Sequence, residues 1–306
     1  MDSKIVIKNI LKKYKGIPVL KINDLNFIEG EIIAIMGPNG SGKSTLLKLL
    51  CGLVHQDSGT ISIFGKNNKD KIVRNFSKIV LESGKGYYDY LTSYQNMKYF
   101  LALNKIKLNE IKADMEAYLN YFDFKPHLNK KVSELSQGNR QKLSLIISLL
   151  TNPKILCLDE PTNGLDIVSS FEFCNIIKNI SKRNKTTVIM TTHDMSLVKK
   201  LNARVIILKN GLLYNDENAN IIFNEIKEKK YTLIVSKDEF NKIVQNNELK
   251  NEFRHVINGD DYMLTVFEEV TKNTILQSYE IKEYKEDKVL IEDILYEVFK
   301  NDKAYY

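Results

Sequence analysis

The chain has 306 residues, 43% of them apolar, which suits two domains with a sizeable core. No apolar run approaches the roughly 18 residues of a membrane-spanning helix, and residues 1–5 carry no signal-peptide core. The three cysteines lack metal-ligand spacing, and their odd number is typical of unpaired thiols in a reducing compartment. Length and composition therefore argue against a membrane-spanning protein and predict a cytoplasmic one.

The net charge of +7 is unevenly distributed, because the first 220 residues are basic and the remainder is acidic. A basic surface can favour nucleic acid or the anionic inner face of a membrane. A solvated lysine-rich surface explains the same excess equally well in a chain rich in Lys, Asn and Ile. Charge alone therefore does not identify the partner.

Two alternating stretches at the start, residues 4–9 and 20–27, predict half-buried antiparallel strands, with Tyr14 and a turn at 16–18 between them. Residues 92–150 are mostly helix-patterned, and residues 169–180 form an amphipathic helical pattern. Further strands are predicted at residues 32–36, 59–65, 78–81, 155–158 and 186–193, and in a hairpin of 205–208 and 212–214 around Asn210-Gly211. Strands that alternate with helices predict an α/β domain with a largely parallel sheet.

Beyond residue 220 the pattern changes to a small α+β domain. Strands are predicted at 231–235 and 262–266, with a third beginning at Ile275. Helices are predicted at 238–247 and 291–300. We therefore expect one domain at 1–218, with a helical subdomain inserted at about 88–150, and a second at 222–306.

One segment predicts a binding site for a nucleoside triphosphate. It is the run Gly37-Pro38-Asn39-Gly40-Ser41-Gly42-Lys43-Ser44-Thr45. It lies between an apolar strand and a helical run, the context in which G-x-x-x-x-G-K-[ST] forms a phosphate-binding loop. Backbone N–H groups and the helix dipole attract phosphate, Lys43 neutralises the β- and γ-phosphates, and Ser44 ligates Mg²⁺. The alternative is a glycine-rich turn that matches by chance.

Several downstream residues have a use in phosphoryl transfer. Asp159 can hold Mg²⁺ through a water, and Glu160 beside it can orient or deprotonate the attacking water. His193, at a strand end, can hydrogen-bond phosphate and water, and Ser136 begins a helix that offers a second anion site. Singly, each has a plainer interpretation, because an Asp-Glu pair can cap a helix and a histidine can be structural. Their order and spacing together are more specific.

With these motifs the sequence resembles the ATP-binding subunits of ABC transporters over residues 1 to about 215. The matched elements are Tyr14, the Walker A loop at 37–45, the signature at 135–139, the Walker B strand at 155–160, the D-loop at 164–166 and the switch histidine His193. The resemblance implies a P-loop NTPase (RecA-like) core with an N-terminal antiparallel β subdomain and an inserted α-helical subdomain. It also implies that Tyr14 stacks on adenine.

In that family two subunits meet head to tail, and each ATP lies between one Walker A loop and the other subunit's signature. The resemblance therefore implies MgATP as the ligand and a homodimer or heterodimer as the working form. It assigns Ser136, Gln137, Gly138, Asn139 and Asp166 to the ATP contacts of this composite site. It further implies that hydrolysis, with Lys43, Glu160 and His193 as catalytic residues, moves separate integral membrane permease subunits. The chain would then sit on the inner face of the plasma membrane through the permease.

Two positions depart from the family pattern. Members usually carry Gln after the strand at 78–81, and Glu82 is the best positional match here. A carboxylate can still ligate Mg²⁺ but adds charge and removes an amide donor. The signature ends in Asn139 where Gln is usual, a shorter amide with the same groups. We expect a competent ATPase, since Glu160 and His193 are both present.

The direction of transport and three rival functions depend on weaker patterns. Residues 82–100 and the C-terminal domain look like those of antibiotic-resistance exporters, which favours export. A regulatory protein that holds ATP without driving transport is the alternative, supported by Glu82. ABC ATPases that act on DNA insert long coiled coils before the signature, whereas here about ninety residues without sustained heptads separate Thr45 from Leu135. We therefore expect no nucleic-acid partner. Translation factors of this kind carry two cassettes, and this chain carries one.

Overall fold

A computed structural model describes residues 4–81, 86–163, 167–218, 229–246, 249, 252–288 and 293, with the backbone alone at 167–169 and 215–218. The chain divides into two compact units, residues 1–219 and 220–306. Among the described residues, no helix combines the length and the apolar composition that crossing a membrane requires.

The first unit is built around a sheet that has ten strands within the described residues. In chain order they are β1 (Ile5–Tyr14), β2 (Ile17–Phe27), β3 (Ile32–Met36), β4 (Ser58–Ile63), β5 (Lys66–Asn67), β6 (Ser77–Val80), β7 (Ile155–Asp159), β8 (Thr187–Thr191), β9 (Arg204–Lys209) and β10 (Leu212–Asn218). The order across the sheet is β5-β4-β1-β2-β10-β9-β3-β8-β7-β6. Strands β9, β3, β8, β7 and β6 run parallel, whereas β1 pairs antiparallel with β2 and β4. The predicted α/β fold with an antiparallel β subdomain is confirmed.

Helices cover the sheet and form the inserted subdomain. They are α1 (Lys43–Leu50), α2 (Val73–Phe76), α3 (Ser93–Leu103), α4 (Lys112–Tyr121), α5 (Gln137–Leu150), α6 (Ile167–Arg183) and α7 (Met195–Leu201), with short 3-10 turns at Leu108–Glu110, Lys125–His127 and Val132–Glu134. Helices α3 and α4 both pack against α5, so the helix-patterned stretch 92–150 is helical as predicted. Helix α1 is anchored by four leucines that are 0% exposed, Leu46, Leu47, Leu49 and Leu50. Their burial fixes the start of α1, and hence the preceding loop, against the sheet.

The second unit is a four-stranded antiparallel sheet within the described residues, with two helices on one face. Its elements are β11 (Lys229–Ser236), α8 (Lys237–Gln245), β12 (Phe253–Asn258), β13 (Asp261–Val266), α9 (Glu269–Ser278) and β14 (Glu283–Lys288). Along the chain the elements follow the order β-α-β-β-α-β, and across the sheet the strands lie in the order β12-β13-β11-β14. Leu233, Val235, Ile243 and Leu264 are 0% exposed in its core. Apart from Asp293, the helix predicted at 291–300 lies outside the described residues.

Three predicted details are wrong. Ile275 does not begin a strand but lies buried in α9, one helical turn after buried Thr271. The missed strands β12 and β14 are rich in polar residues that hide the alternation. The turn before β2 is Lys15-Gly16 alone, with φ of 50° and 82°, so the predicted turn residues 17 and 18 belong to the strand. Two successive positive φ angles are typical of a tight hairpin turn.

Candidate functional site

A cavity of about 260 Å³ opens where the parallel strands β3, β7 and β8 end. Its lining residues come from the loop after β3, from the ends of β7 and β8, and from β2: Val19, Asn39, Gly40, Ser41, Gly42, Lys43, Ser44, Thr45, Asp159, Glu160 and His193. The register pairs Thr191 with Ile35 on one side and with Asp159 on the other, so all three strand ends lie at one level. The carboxyl edge of a parallel sheet is where such folds bind ligands.

Glycine is required at three positions of the loop 37–42. Gly37, Gly40 and Gly42 have φ of 146°, 82° and 99°, a region that residues with a Cβ rarely adopt. A Cβ on Gly37 would lie 2.1 Å from the carbonyl oxygen of Leu208. Gly42 caps α1 without a side chain, so the first N–H groups of that helix remain available at the cavity.

The β9–β10 hairpin supports the back of this loop. In its turn, Asn210 and Gly211 have φ of 49° and 76°. The N–H of Gly211 donates to the carbonyl oxygen of Ser41 at 3.2 Å, and the Gly211 carbonyl accepts from the N–H of Lys21 at 2.6 Å. The Asn-Gly turn that the sequence predicted therefore connects the loop to β2 as well as closing a hairpin.

Lys43 extends along the inside of the loop. Its Nζ donates to the carbonyl oxygens of Gly37 at 2.7 Å and Pro38 at 3.1 Å. Burial lowers the pKa of Lys43, and the carboxylates of Glu160 and Asp159 oppose that shift. Among the described residues the ammonium group therefore donates to neutral carbonyls of the loop, and an anion in the cavity would offer it a stronger, charge-assisted partner.

Asp159 is held by two hydroxyl groups. Ser44 Oγ donates to its Oδ2 at 3.2 Å, and Thr191 Oγ1 donates to its Oδ1 at 2.7 Å. Ser44 comes from the first turn of α1 and Thr191 from the end of β8, so the contact joins three elements. A hydroxyl and a carboxylate side by side are oxygen donors of the kind that Mg²⁺ prefers.

Glu160 and His193 form the second pair of the cavity. His193 Nε2 lies 3.3 Å from Glu160 Oε1, and the side chains are 42% and 14% exposed. Glu160 has φ of 47°, an unusual backbone angle for a residue with a side chain. Its N–H lies 3.2 Å from the carbonyl oxygen and 3.0 Å from the Oγ1 of Thr191. A carboxylate beside an imidazole at a phosphate-sized cavity can position and deprotonate a water molecule.

Other predicted site residues are not brought into this cavity. Ser136 caps α5 by accepting from the N–H of Asn139 at 3.3 Å, and Ser136 and Gln137 are exposed at the surface. Gly138 is half-buried in the first turn of the same helix. Tyr14 is 42% exposed at the end of β1, with Lys12 Nζ 5.1 Å from its ring centroid.

The predicted positions Glu82 and Asp166 lie outside the described residues. Three residues were missed by the sequence: Val19 at the cavity wall, Gly211 behind the loop and Thr191 at the carboxylates. Thr191 stands in the β-branched run 186–192, which predicts a strand and gives no sign that one hydroxyl differs from the others.

Comparison with known protein families identifies two matching models. One, described as ABC transporter, matches residues 20–163. Another, described as AAA domain, putative AbiEii toxin, Type IV TA system, matches residues 129–199.

Curated relatives carry related names. The uncharacterized ABC transporter ATP-binding protein YdbJ of Bacillus subtilis is 34% identical over 67% of this chain, which spans 66% of the length of YdbJ. The methionine import ATP-binding protein MetN of Clostridium acetobutylicum is 32% identical over 77% of this chain and 75% of its own length. The bacitracin transport ATP-binding protein BcrA of Enterococcus faecalis is 29% identical over 76% of this chain and 74% of its own length.

A solved structure has a similar fold. It is the dimeric, post-hydrolysis state of the ATP-binding cassette MJ0796 bound to ADP and Pi, with a TM-score of 0.64 and 28% identity over 70% of this chain and 98% of the cassette.

Proposed function

This chain belongs to the family of ABC transporter ATP-binding proteins, and we propose that it hydrolyses ATP in the cavity at the ends of β3, β7 and β8 to drive a membrane transporter. ATP is the nucleotide of this family and Mg²⁺ its usual ion. The observation that carries the proposal is the convergence of Lys43, Asp159, Glu160 and His193 on one cavity behind a glycine-rich loop.

The cavity residues fit a magnesium-bound triphosphate. Gly40 and Gly42, whose positive φ angles favour glycine, leave the loop free of side chains where phosphate would lie. Ser41 Oγ is buried and has no hydrogen-bond partner among the described residues, so it is a donor that a phosphate oxygen could satisfy. Ser44 and Asp159 already lie in contact, and this pair would hold the ion. When bound, Mg²⁺ would neutralise charge that develops on the β- and γ-phosphate oxygens.

The remaining roles follow from the contacts. Lys43 exchanges the carbonyls of Gly37 and Pro38 for phosphate oxygens, because a charge-assisted bond is stronger than a bond to a neutral acceptor. Glu160 orients the attacking water and accepts its proton. His193 holds Glu160 through the 3.3 Å contact and offers a donor to the γ-phosphate.

A second ATP-binding subunit would complete the site. The signature residues 136–139 do not line the cavity of their own chain, and Ser136 and Gln137 are exposed. They are therefore accessible to the nucleotide of another copy or of a related subunit, and the similar cassette MJ0796 is dimeric. In this arrangement Ser136, Gly138 and Asn139 contact the partner's ATP, and Tyr14 stacks on the adenine of its own.

We further propose that the work is done on integral membrane permease subunits, which would hold this chain at the cytoplasmic face of the membrane. The relatives include a methionine import protein and a bacitracin transport protein. We favour export because residues 82–100 resemble the antibiotic-resistance exporters. Reconstitution with the permease in vesicles would test this. ATP-driven movement of substrate toward the side of the membrane that carries this chain would contradict export.

The decisive experiment is Glu160→Gln. Because it keeps the shape but removes the base, turnover should fall by about 10²–10⁴-fold. ATP affinity should stay within a factor of about three, and ATP should trap a dimer on gel filtration. The control is Glu110→Gln, which removes an exposed carboxylate that lies 3.9 Å from Lys107.

Unchanged turnover in Glu160→Gln would show that Glu160 is not the base of the reaction. A regulatory ATP-binding protein would instead show tight binding and no turnover in the wild type. If ATP leaves Glu160→Gln monomeric, the partner subunit is a different chain.

A further inference from the structure

We propose that Thr191 is a positioning residue of the ATPase site, whose hydroxyl sets the orientation of both Asp159 and Glu160. The inference rests on the proposed function, because it concerns the same cavity. Thr191 does not line that cavity and is 0% exposed, so it acts through its two neighbours and not on the nucleotide itself.

The hydroxyl of Thr191 makes two contacts at once. It donates to Asp159 Oδ1 at 2.7 Å and accepts from the N–H of Glu160 at 3.0 Å. A hydroxyl has one donor and two acceptor sites, so the contacts do not compete. One side-chain oxygen thereby joins the end of β8 to two successive residues at the end of β7.

The contact to Glu160 lies where the backbone departs from the strand. With φ of 47°, Glu160 leaves the extended conformation of β7, which costs free energy for any residue with a Cβ. The Glu160 N–H makes the last bond of the β7–β8 ladder, to the carbonyl of Thr191, and is shared with the Thr191 hydroxyl. In this backbone conformation the Glu160 side chain reaches the cavity, and its Oε1 lies 3.3 Å from His193 Nε2.

The contact to Asp159 fixes the plane of a carboxylate. Ser44 Oγ lies 3.2 Å from Oδ2 and 3.4 Å from Oδ1, and Thr191 donates to Oδ1 at 2.7 Å. Ser44 is the second residue proposed to hold Mg²⁺, so its hydroxyl has another use when the ion is bound. The Thr191 hydroxyl has no proposed role in holding Mg²⁺. Its bond would therefore keep Asp159 in place whether or not Ser44 still donates to the carboxylate. We therefore expect the loss of the Thr191 hydroxyl to reduce the Mg²⁺-dependent gain in ATP affinity more than it reduces the ATP affinity measured without Mg²⁺.

A purely structural threonine on the same strand provides the control. Thr187, four residues earlier in β8, is also 0% exposed and also has a doubly bonded hydroxyl. That hydroxyl accepts from the N–H of Gly30 at 3.2 Å and donates to the carbonyl of Ile28 at 3.3 Å. Its partners are main-chain groups at the opposite end of the strand. Thr187→Val and Thr191→Val therefore remove chemically similar groups, and only one of them touches the carboxylates.

The experiment compares Thr191→Val, Thr191→Ser and Thr187→Val in the full chain. Each variant is measured for melting temperature, for ATP affinity with and without Mg²⁺, and for turnover as a function of Mg²⁺. Thr191→Val should lose roughly tenfold or more in turnover, the usual range for a lost hydrogen bond to a charged group. Its gain in ATP affinity on adding Mg²⁺ should shrink, while affinity without Mg²⁺ stays near that of the wild type. Thr191→Ser should restore both, and Thr187→Val should lower the melting temperature without either change.

Any of three results would overturn the inference. One is a Thr191→Val variant whose turnover and Mg²⁺ response equal those of the wild type. The others are an equal loss in Thr187→Val and no rescue by Thr191→Ser, since both indicate general destabilisation. If the wild type binds ATP but does not turn it over, the proposed function fails on its own. The Mg²⁺-dependent change in ATP affinity then still decides whether Thr191 positions Asp159.

Discussion

The half-buried charges at the cavity of the first unit and the charge cluster around Asp293 in the second are arranged in opposite ways. In the first, the cation Lys43 bonds neutral carbonyls beside the carboxylates of Asp159 and Glu160, all around one cavity. In the second, Asp293 is 8% exposed and its carboxylate lies 2.8 Å from Lys230 Nζ and 3.1 Å from Arg254 Nη1. The first arrangement keeps charges available for a ligand, and the second pairs them within the fold.

Sheet topology explains the difference. The carboxyl ends of parallel strands meet at one edge, so the residues that follow β3, β7 and β8 converge there. In the antiparallel sheet of the second unit the strand ends alternate between the two edges, and Lys230 of β11 and Arg254 of β12, which are separated by β13, both pair with Asp293. We therefore expect mutations at these charges to change ligand binding in the first unit and the free energy of unfolding in the second.

The largest effect is expected for Lys43→Ala. Because its ammonium group is the cation that the loop presents to phosphate, ATP affinity should fall at least about 10²-fold, close to 2.7 kcal/mol. Burial lowers the pKa of Lys43, so its charge does not favour the folded state and the melting temperature should barely change. Calorimetry of ATP binding measures the first effect and thermal unfolding the second. Lys48→Ala, in the last turn of the same helix, is the control. Retained affinity would contradict the phosphate-binding role of the loop.

A smaller loss is expected for Gly211→Ala behind the loop. A Cβ at this position would lie 2.3 Å from the Val19 carbonyl oxygen, so the hairpin or the loop must shift. Gly65→Ala isolates the backbone strain, because φ is 77° there and nothing lies within 4 Å of the added atom. We expect Gly211→Ala to lose about 1–3 kcal/mol more unfolding free energy than Gly65→Ala, together with ATP affinity. Equal losses in urea unfolding would show that the contact with the loop is unimportant.

The smallest effect is expected for Asp293→Asn in the second unit. Its partners Lys230 and Arg254 are 15% and 16% exposed, so solvent reduces the cost of leaving them unpaired. The loss should be about 1–2 kcal/mol, below the range for a fully buried pair. Asp287→Asn is the control, because its 2.9 Å contact with Lys285 is more exposed, at 33% for Asp287 and 73% for Lys285, and should contribute less. Denaturant unfolding compares the two. A fall in ATP affinity in Asp293→Asn, with stability unchanged, would break the distinction between the units.

Local patterns were sufficient for much of the first unit. Alternation predicted β1 and β2, the apolar runs predicted β3, β7 and β8, and Asn210-Gly211 predicted the hairpin turn, since these signals depend on neighbours in the chain. The second unit was harder. Its strands β12 and β14 carry charges on exposed edges, and buried Ile275 in α9 looked like the start of a strand because a short apolar run does not distinguish helix from strand.

The sequence by itself determined which residues could bind a triphosphate, because the loop at 37–45 and the residues Asp159, Glu160 and His193 carry chemistry that depends on residue type and order. Only the tertiary structure decided that these groups share one cavity. It also identified the supports, Thr191 at 2.7 Å from Asp159 and Gly211 at 3.2 Å from Ser41, which come from strands far away in the chain. A threonine in a β-branched strand and a glycine in a turn have ordinary local explanations. Their contacts with the site arise only when β8 and the β9–β10 hairpin pack beside the loop.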